Sequence, residues 1–337
     1  MNLKISINGF GRIGRCVLRV LYERGLQDVF EVVAINELAD CETMAYMLRY
    51  DSTHGRFSGE VSQADDVLTI DGRHIRVLHH RSIEELPWSE LNVDVVLECT
   101  GHYKKSAELG GHLSQGANKV LLSQPGVEVD FTLIAGLNQE LLKPEHRIVS
   151  VGSCSTNCLL PVFSLLDSTF GIEQGVTTTI HSAMNDQPVI DAYASDLRRT
   201  RAAVASIIPV DTALPKGISR LMPHLDGRIE SLHLRVPTLN VSVMDVSLQL
   251  KEDVTSDQVN GLFEEASRGL LKNIIGFTRE PHASVDFNHD AHSGIVDASQ
   301  TRVSGKRLLK MLIWFDNEWG FANRMVDALQ NARLMEP

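Results

Sequence analysis

The chain has 337 residues, enough for two domains of ordinary size. Hydrophobic residues make up 43% and charged residues 22%, as in a soluble globular enzyme. With 32 Lys plus Arg against 43 Asp plus Glu the net charge is -11, which argues against nucleic acid or an anionic membrane as a partner. An anionic small molecule remains open wherever basic residues gather locally.

No apolar run approaches the ~20 residues that span a bilayer, and the N-terminus lacks a signal-peptide core. The five cysteines (Cys16, Cys41, Cys99, Cys154, Cys158) form neither a disulfide framework nor a C-x-x-C pair. A reducing, cytoplasmic setting without a structural metal is expected.

Residues 3–8 read as a short buried strand, and Gly9-x-Gly11-x-x-Gly14 follows. Ile13, Cys16, Val17, Val20 and Leu21 then recur at helical spacing, and residues 31–36 (EVVAIN) form a second strand. In this context the glycines allow a tight turn and close approach of a pyrophosphate to a helix N-terminus. Glu37, at the end of the second strand, suits a ribose 2′-hydroxyl and would repel a 2′-phosphate, which favours NAD over NADP. Asp40 is the alternative for that role. Residues 67–70 and 74–78 flank Asp71-Gly72, a hairpin signal, and 93–99, 119–122 and 131–135 are further strands. Residues 1–152 therefore read as a Rossmann domain with a doubly wound parallel sheet.

The pattern changes after Ser150. A helix is expected over 153–170, then strands over 176–180, 241–250 and 307–315. Met244, Val246, Leu248 and Leu250 alternate with Asp245, Ser247 and Gln249, the mark of a sheet with one wet face. Residues 153–316 read as an α+β catalytic domain with a mostly antiparallel sheet. The last helix, expected over 320–334 with Phe321, Met325, Val326 and Leu329 on one stripe, should pack back on the first domain as part of a segment from about 317 to 337.

Cys154 follows Ser153, a good N-cap residue, so helix N–H groups and the helix dipole should favour its thiolate. Cys158 lies one turn on and reads as a packing residue or, alternatively, as a partner in reversible oxidation. His181 ends a β-rich run and is a candidate base, one of 13 histidines. A thiol nucleophile beside a nicotinamide cofactor points to oxidation of an aldehyde through a covalent thioester. Arg198, Arg199 and Arg201 form a local cationic run, and Arg235 stands in an apolar stretch where a phosphate would suit its planar fork.

At these residues the chain resembles the phosphorylating glyceraldehyde-3-phosphate dehydrogenase superfamily. The resemblance runs through residues 7–15, 50–55, 99–101, 153–158, 207–209, 235–241 and 316–320, and so spans nearly the whole length. It implies that Cys154 is the nucleophile and His181 its base. Gly9, Gly11, Arg12, Ile13, Gly14, Glu37, Arg81 and Asn317 then bind NAD, with Asn317 at the nicotinamide carboxamide. Ser153, Ser155, Arg199, Thr212, Ala213 and Arg235 match positions that hold a small phosphorylated aldehyde. A homotetramer is implied, with residues 198–208 in a loop that reaches a neighbouring subunit. Within the superfamily, His181-Ser182-Ala183-Met184-Asn185-Asp186-Gln187 and Asn36-Glu37-Leu38-Ala39-Asp40 look most like the erythrose-4-phosphate dehydrogenase branch. Met184 stands where the glycolytic enzymes usually carry a threonine, while Val151-Gly152 and Ser155 replace the usual Asn-Ala and Thr. The rival readings are a glyceraldehyde-3-phosphate dehydrogenase with an altered phosphate site and a non-catalytic NAD-binding regulatory protein.

Overall fold

A computed structural model describes residues 2–331. Contacts divide the chain into two compact units, one built from residues up to Ser153 together with those from Phe321 onward, the other spanning Cys154–Gly320.

The first unit holds β1 (Leu3–Asn8), α1 (Arg12–Glu23), β2 (Phe30–Asn36), α2 (Cys41–Arg49), β3 (Tyr50–Asp51), β4 (Gly55–Arg56), β5 (Val61–Ala64), β6 (Val67–Ile70), β7 (Arg73–Leu78), α3 (Trp88–Leu91), β8 (Val95–Glu98), α4 (Ser106–Ser114), β9 (Lys119–Leu122), β10 (Phe131–Thr132) and β11 (Ile148–Ser150). Its main sheet runs β10-β11-β9-β8-β1-β2-β7-β6-β5. The pairings from β10 to β7 are parallel, and β6 and β5 add an antiparallel edge. All residues of β8 and β9 are buried, as strands covered on both faces must be. Asp71 and Gly72 both take positive φ (48° and 79°), the geometry of a type I′ hairpin turn. The expected strand over 131–135 is cut to Phe131–Thr132; Leu133 still donates to the Ser150 carbonyl at 2.8 Å before Gly136, at φ 81°, turns the chain away.

From β1 the chain moves outward through β2 on one side and returns through β8 on the other. The loop after β1 thus opens at a topological switch point, where doubly wound sheets bind ligands.

The second unit holds α5 (Cys154–Phe170), β12 (Ile172–His181), β13 (Ile208–Val210), α6 (Leu214–Leu221), β14 (Ile229–Arg235), β15 (Ser242–Leu250), α7 (Ser256–Arg268), β16 (Ile275–Thr278), β17 (Gly294–Ser304), β18 (Leu308–Phe315) and the start of α8 (Trp319–Leu329). Its sheet runs β13-β14-β12-β15-β18-β17-β16, and only β12–β14 and β16–β17 pair in parallel. Along β15 the even-numbered residues are buried, and Asp245, Ser247 and Gln249 are half-buried, the alternation read from the sequence. The apolar helix α5 packs on β12, β15 and β18.

From Phe321 onward α8 groups with the first unit. There Asp327 pairs with Arg24 at 2.7 Å, and Arg24 also donates to Gln330. Residues 332–334 of the expected helix, like the rest of 332–337, lie outside the described residues. Residues 317–320, expected with the first domain, group instead with the second unit. The reason is local: Asn317 accepts hydroxyls from Ser182 and Ser242, and Trp319 stacks on His289. No helix among the described residues is long and apolar enough to cross a membrane.

The glycine turn after β1 is sterically forced at two of its three positions. Gly9 takes φ +91°, and a Cβ there would lie 2.7 Å from the Thr100 nitrogen. A Cβ on Gly14 would lie 2.2 Å from the Gly9 carbonyl oxygen, whereas one on Gly11 meets nothing within 4 Å. Gly14→Ala should therefore lower Tm by roughly 4–8 °C, the effect of about 2 kcal/mol of overpacking in a unit of this size. Gly11→Ala should leave Tm unchanged; thermal melts of both variants check the contrast.

Candidate active site

The turn at Gly9 faces a cleft lined by Asn8, Gly9, Gly11, Asn36, Glu37, Leu38, Arg81, Thr100 and neighbouring residues. Gly11 caps α1 with extended backbone and no side-chain hydrogen bond, so the helix N-terminus keeps donors available for an anion. Glu37 holds the turn itself: its carboxylate accepts from the Phe10 N–H at 2.8 Å and from the Leu38 N–H at 2.7 Å. Asp40 is occupied as the N-cap of α2, accepting from the Thr43 N–H and hydroxyl at 2.8 Å each. That leaves Glu37, not Asp40, lining the cleft. Arg12 forms an ion pair with Asp51, inside the Tyr50–Gly55 motif. Burial alone would raise the Asp51 carboxyl, but Arg12 and the N–H groups of His54 and Thr53 overcome it and hold the group below the usual carboxylate range.

Beneath the cleft lies a buried polar chain that sequence reading did not single out. The fully buried Glu98 carboxylate accepts from Asn8 Nδ2 at 2.6 Å, from the Thr100 N–H at 2.9 Å and from the Thr100 hydroxyl. His112 Nε2 is its fourth donor, at 3.1 Å. The tautomer is set by Trp88, whose indole N–H can only donate and does so to His112 Nδ1 at 2.9 Å. Asn36 donates to Asn8 Oδ1, so the ends of β1, β2 and β8 are tied at the floor of the cleft.

In the second unit Cys154 is the first residue of α5, and Ser153 precedes it at the N-cap position. Cys154 Sγ lies 3.7 Å from His181 Nε2. His181 Nδ1 is 2.9 Å from the Ser182 carbonyl oxygen. A carbonyl only accepts, so the proton sits on Nδ1 and the lone pair of Nε2 faces the thiol. Burial lowers the His181 pKa to about 4, the Ser182 carbonyl opposing and Arg235 adding to the effect. Burial likewise pushes the Cys154 thiol up. The hydroxyl and N–H of Ser155 and the N–H of Cys154 act in the expected, acidifying direction, but desolvation outweighs them. The resting pair is thus neutral thiol and neutral imidazole, with the Nε2 lone pair placed to accept the thiol proton. Cys158 is fully buried, with its thiol raised by burial, and packs against Gly294, where a Cβ would lie 3.1 Å from the sulfur.

The cations gather beside this pair. Parallel pairing sets His181 of β12 opposite Arg235 of β14. Arg235 is buried, and its Nη1 donates to Asp186 Oδ1 at 2.8 Å and Gln187 Oε1 at 3.1 Å. Arg199 reaches the other oxygen of Asp186 at 2.9 Å, so one carboxylate bridges both arginines. Arg235 Nε is buried without a partner, an unmet donor beside the thiol–imidazole pair. Thr212 and Ala213 lead into α6, with the Thr212 hydroxyl accepting from the Leu214 N–H at 3.2 Å. Asn317 Oδ1 takes hydroxyls from Ser182 at 3.0 Å and Ser242 at 2.8 Å, so its NH2 is the donor end of the amide. Asp186 and Gln187 lay in a stretch singled out from the sequence, but nothing local marked them as the ligands of Arg235.

Residues 3–106 match the family model described as glyceraldehyde 3-phosphate dehydrogenase, NAD binding domain, and residues 153–317 match glyceraldehyde 3-phosphate dehydrogenase, C-terminal domain. The chain belongs to the glyceraldehyde-3-phosphate dehydrogenase family. It is an NAD-dependent dehydrogenase with a Rossmann-type cofactor domain. The first unit fits NAD on its own geometry: the open Gly11, the uncapped α1 N-terminus and the Glu37 carboxylate supply the pyrophosphate and ribose contacts that such a cofactor needs.

One buried and one half-buried neutral imidazole make the fold acid-sensitive. His181 titrates at about 4, and His233, lowered first by burial and then by His181 and Arg235, at about 3. Unfolded, both protonate near 6.5, so between pH 6.5 and 4 the unfolded chain binds more protons and stability falls as pH falls. His181 alone accounts for roughly 3 kcal/mol over that window. Urea midpoints measured from pH 7.5 to 4.5 should decline below pH 6.5, and His233→Phe should flatten part of that slope.

Proposed function

We propose that this enzyme oxidises D-erythrose 4-phosphate to 4-phosphoerythronate, in service of pyridoxal 5′-phosphate biosynthesis. The observation that carries the substrate choice is Met184. It sits 45% exposed on the loop whose Asp186 and Gln187 hold Arg235, where the glycolytic relatives place a hydroxyl. A thioether cannot donate to a phosphate or to an incoming inorganic phosphate, so the anion site is altered next to the nucleophile. The name of the family itself favours the second reading, glyceraldehyde 3-phosphate with inorganic phosphate as acceptor.

His181 Nε2 takes the Cys154 proton as the sulfur adds to the aldehyde carbon, giving a thiohemiacetal on Cys154. The N–H groups at the start of α5 support the oxyanion. NAD, when bound, supplies the hydride acceptor, held by the glycine turn, Arg12, Ile13, Glu37, Arg81 and the NH2 of Asn317. The acyl group left on the sulfur is a thioester. His181, its proton released, deprotonates a water that attacks the acyl carbon, and the thiol returns as the acid leaves. Arg235 and Arg199, with Ser153, Ser155, Thr212 and Ala213, hold the phosphorylated substrate; its phosphate competes with Asp186 for the two guanidinium groups.

The working form is a homotetramer in the cytoplasm. Supporting the assembly, Val189, Ile190, Tyr193, Leu197, Val204 and Ile207 are all at least 66% exposed within one segment, an apolar surface of the kind that subunit contacts cover.

NADH formation with each aldehyde phosphate, with and without inorganic phosphate, tests the reading. A higher kcat/KM for erythrose 4-phosphate with no phosphate requirement supports it; strict phosphate dependence with glyceraldehyde 3-phosphate defeats it. Cys154→Ser should lose turnover in either case, whereas a non-catalytic regulatory protein would keep its function. Arg235→Ala should raise KM for the aldehyde phosphate on the order of 10–100-fold, the loss of a charged hydrogen bond, while KM for NAD moves little. Equal effects on both would remove Arg235 from the phosphate site.

A further inference from the structure

The side chain that covers the ring of His181 is a second histidine. His233 lies on β14 two residues before Arg235, on the same face, with Thr179 as its cross-strand partner and His181 as its diagonal neighbour. The two imidazoles stack at a centroid separation of 5.2 Å and an interplanar angle of 23°. Phe315 of β18 meets the His181 ring edge-on at 6.3 Å. Ser182 on Nδ1 and Cys154 facing Nε2 are the partners of its two nitrogens.

His233 Nε2 is buried with no hydrogen-bond partner. A charge on this ring would place a buried N–H without an acceptor beside a second imidazole, so the ring remains uncharged. The groups around the stack are Arg235 on β14, Arg199 on the turn Leu197–Thr200, Asp186 on the loop after β12, Glu318 after β18 and Cys154 on α5. Asp186 is already shared between the two arginines, and the pull of Asp186 and Glu318 toward an imidazolium at His181 is outweighed by burial.

We propose that His233 is a positioning residue for His181: its neutral ring lies across one face of the base, keeps water from it, and holds Nε2 toward Cys154 as a proton acceptor. This rests on the reading of His181 as the base of the reaction. Its consequence is a base that stays unprotonated well below neutral pH, ready to take the proton of a thiol that burial keeps from ionising by itself. A non-aromatic residue at 233 would let water reach the face of His181 and make it more basic.

The test uses 15N-histidine-labelled full-length protein without substrate, with His181 assigned from the spectrum of His181→Asn. In the wild-type protein His181 should titrate near 4 and keep the Nδ1–H tautomer. His233→Ala should move that midpoint up by about one pH unit or more, as hydration relieves part of the desolvation. His233→Phe, which keeps a flat ring without a titratable nitrogen, should restore the wild-type midpoint. Should the alanine variant not fold, His233→Gln keeps the bulk without the ring and should show the same upward movement. An unmoved His181 midpoint in a folded Ala or Gln variant, or no restoration by Phe, overturns the proposal. The acid limb of kcat/KM separates the two readings. If it moves with the NMR midpoint, both stand. If the midpoint moves and the limb does not, the hold of His233 on His181 stands and the base role of His181 fails.

Discussion

The parallel pairing of β12 with β14 is the constraint on which the second unit's site depends. Seven residue pairs run from Gly175 opposite Ile229 to His181 opposite Arg235. Because side chains alternate faces along a strand, a slip of one residue would send His181 and its cross-strand neighbours to opposite sides of the sheet. In register, one face collects His181, His233 and Arg235. The same pairing ends β12 where the chain turns into the loop bearing Met184, Asp186 and Gln187. Two of these clamp Arg235, so the loop is fastened to the neighbouring strand β14.

Desolvation decides the electrostatics here. A helix N-terminus and a nearby guanidinium both favour a thiolate, yet burial leaves Cys154 protonated and His181 neutral. Charge then appears only when the proton crosses the 3.7 Å between Sγ and Nε2. This arrangement keeps the sulfur protonated at rest, the form in which a thiol is a poor nucleophile. The price is acid sensitivity, since the buried His181 and the half-buried His233 withhold protons that the unfolded chain would bind. Arg235 shows a related compromise: the Asp186 carboxylate satisfies its Nη1, but its Nε remains an open donor.

In the first unit the governing problem is a buried carboxylate. Glu98 carries no exposed surface and is tolerated because four donors reach it, each fixed by its own partner or backbone. The result is a rigid floor under the glycine turn. The turn is in turn pinned from above by Glu37, so the backbone that meets the cofactor is defined from both sides.

Much of this was legible from residues alone. Gly9 and Gly14 announced a turn that needs glycine, through the positive φ of one and the carbonyl crowding the other, and Asp71-Gly72 announced its hairpin through the left-handed backbone both residues tolerate. Alternation along residues 241–250 and the helix from Cys154 likewise follow from nearest-neighbour periodicity. Other features needed the tertiary structure. Whether Glu37 or Asp40 faced the cleft depended on which carboxylate the α2 N-terminus took. The neighbours of His181 depended on strand order, for nothing near residue 181 says that β14 lies alongside, and nothing in the sequence singled out His233. The direction of the Cys154 shift was also beyond reach, because desolvation is a property of the packed surroundings, whereas the motif displayed only the local donors. What the sequence by itself determined was the backbone turns, the periodicities and the chemical type of the reactive groups; which groups meet, and at what charge, was decided by long-range register and burial.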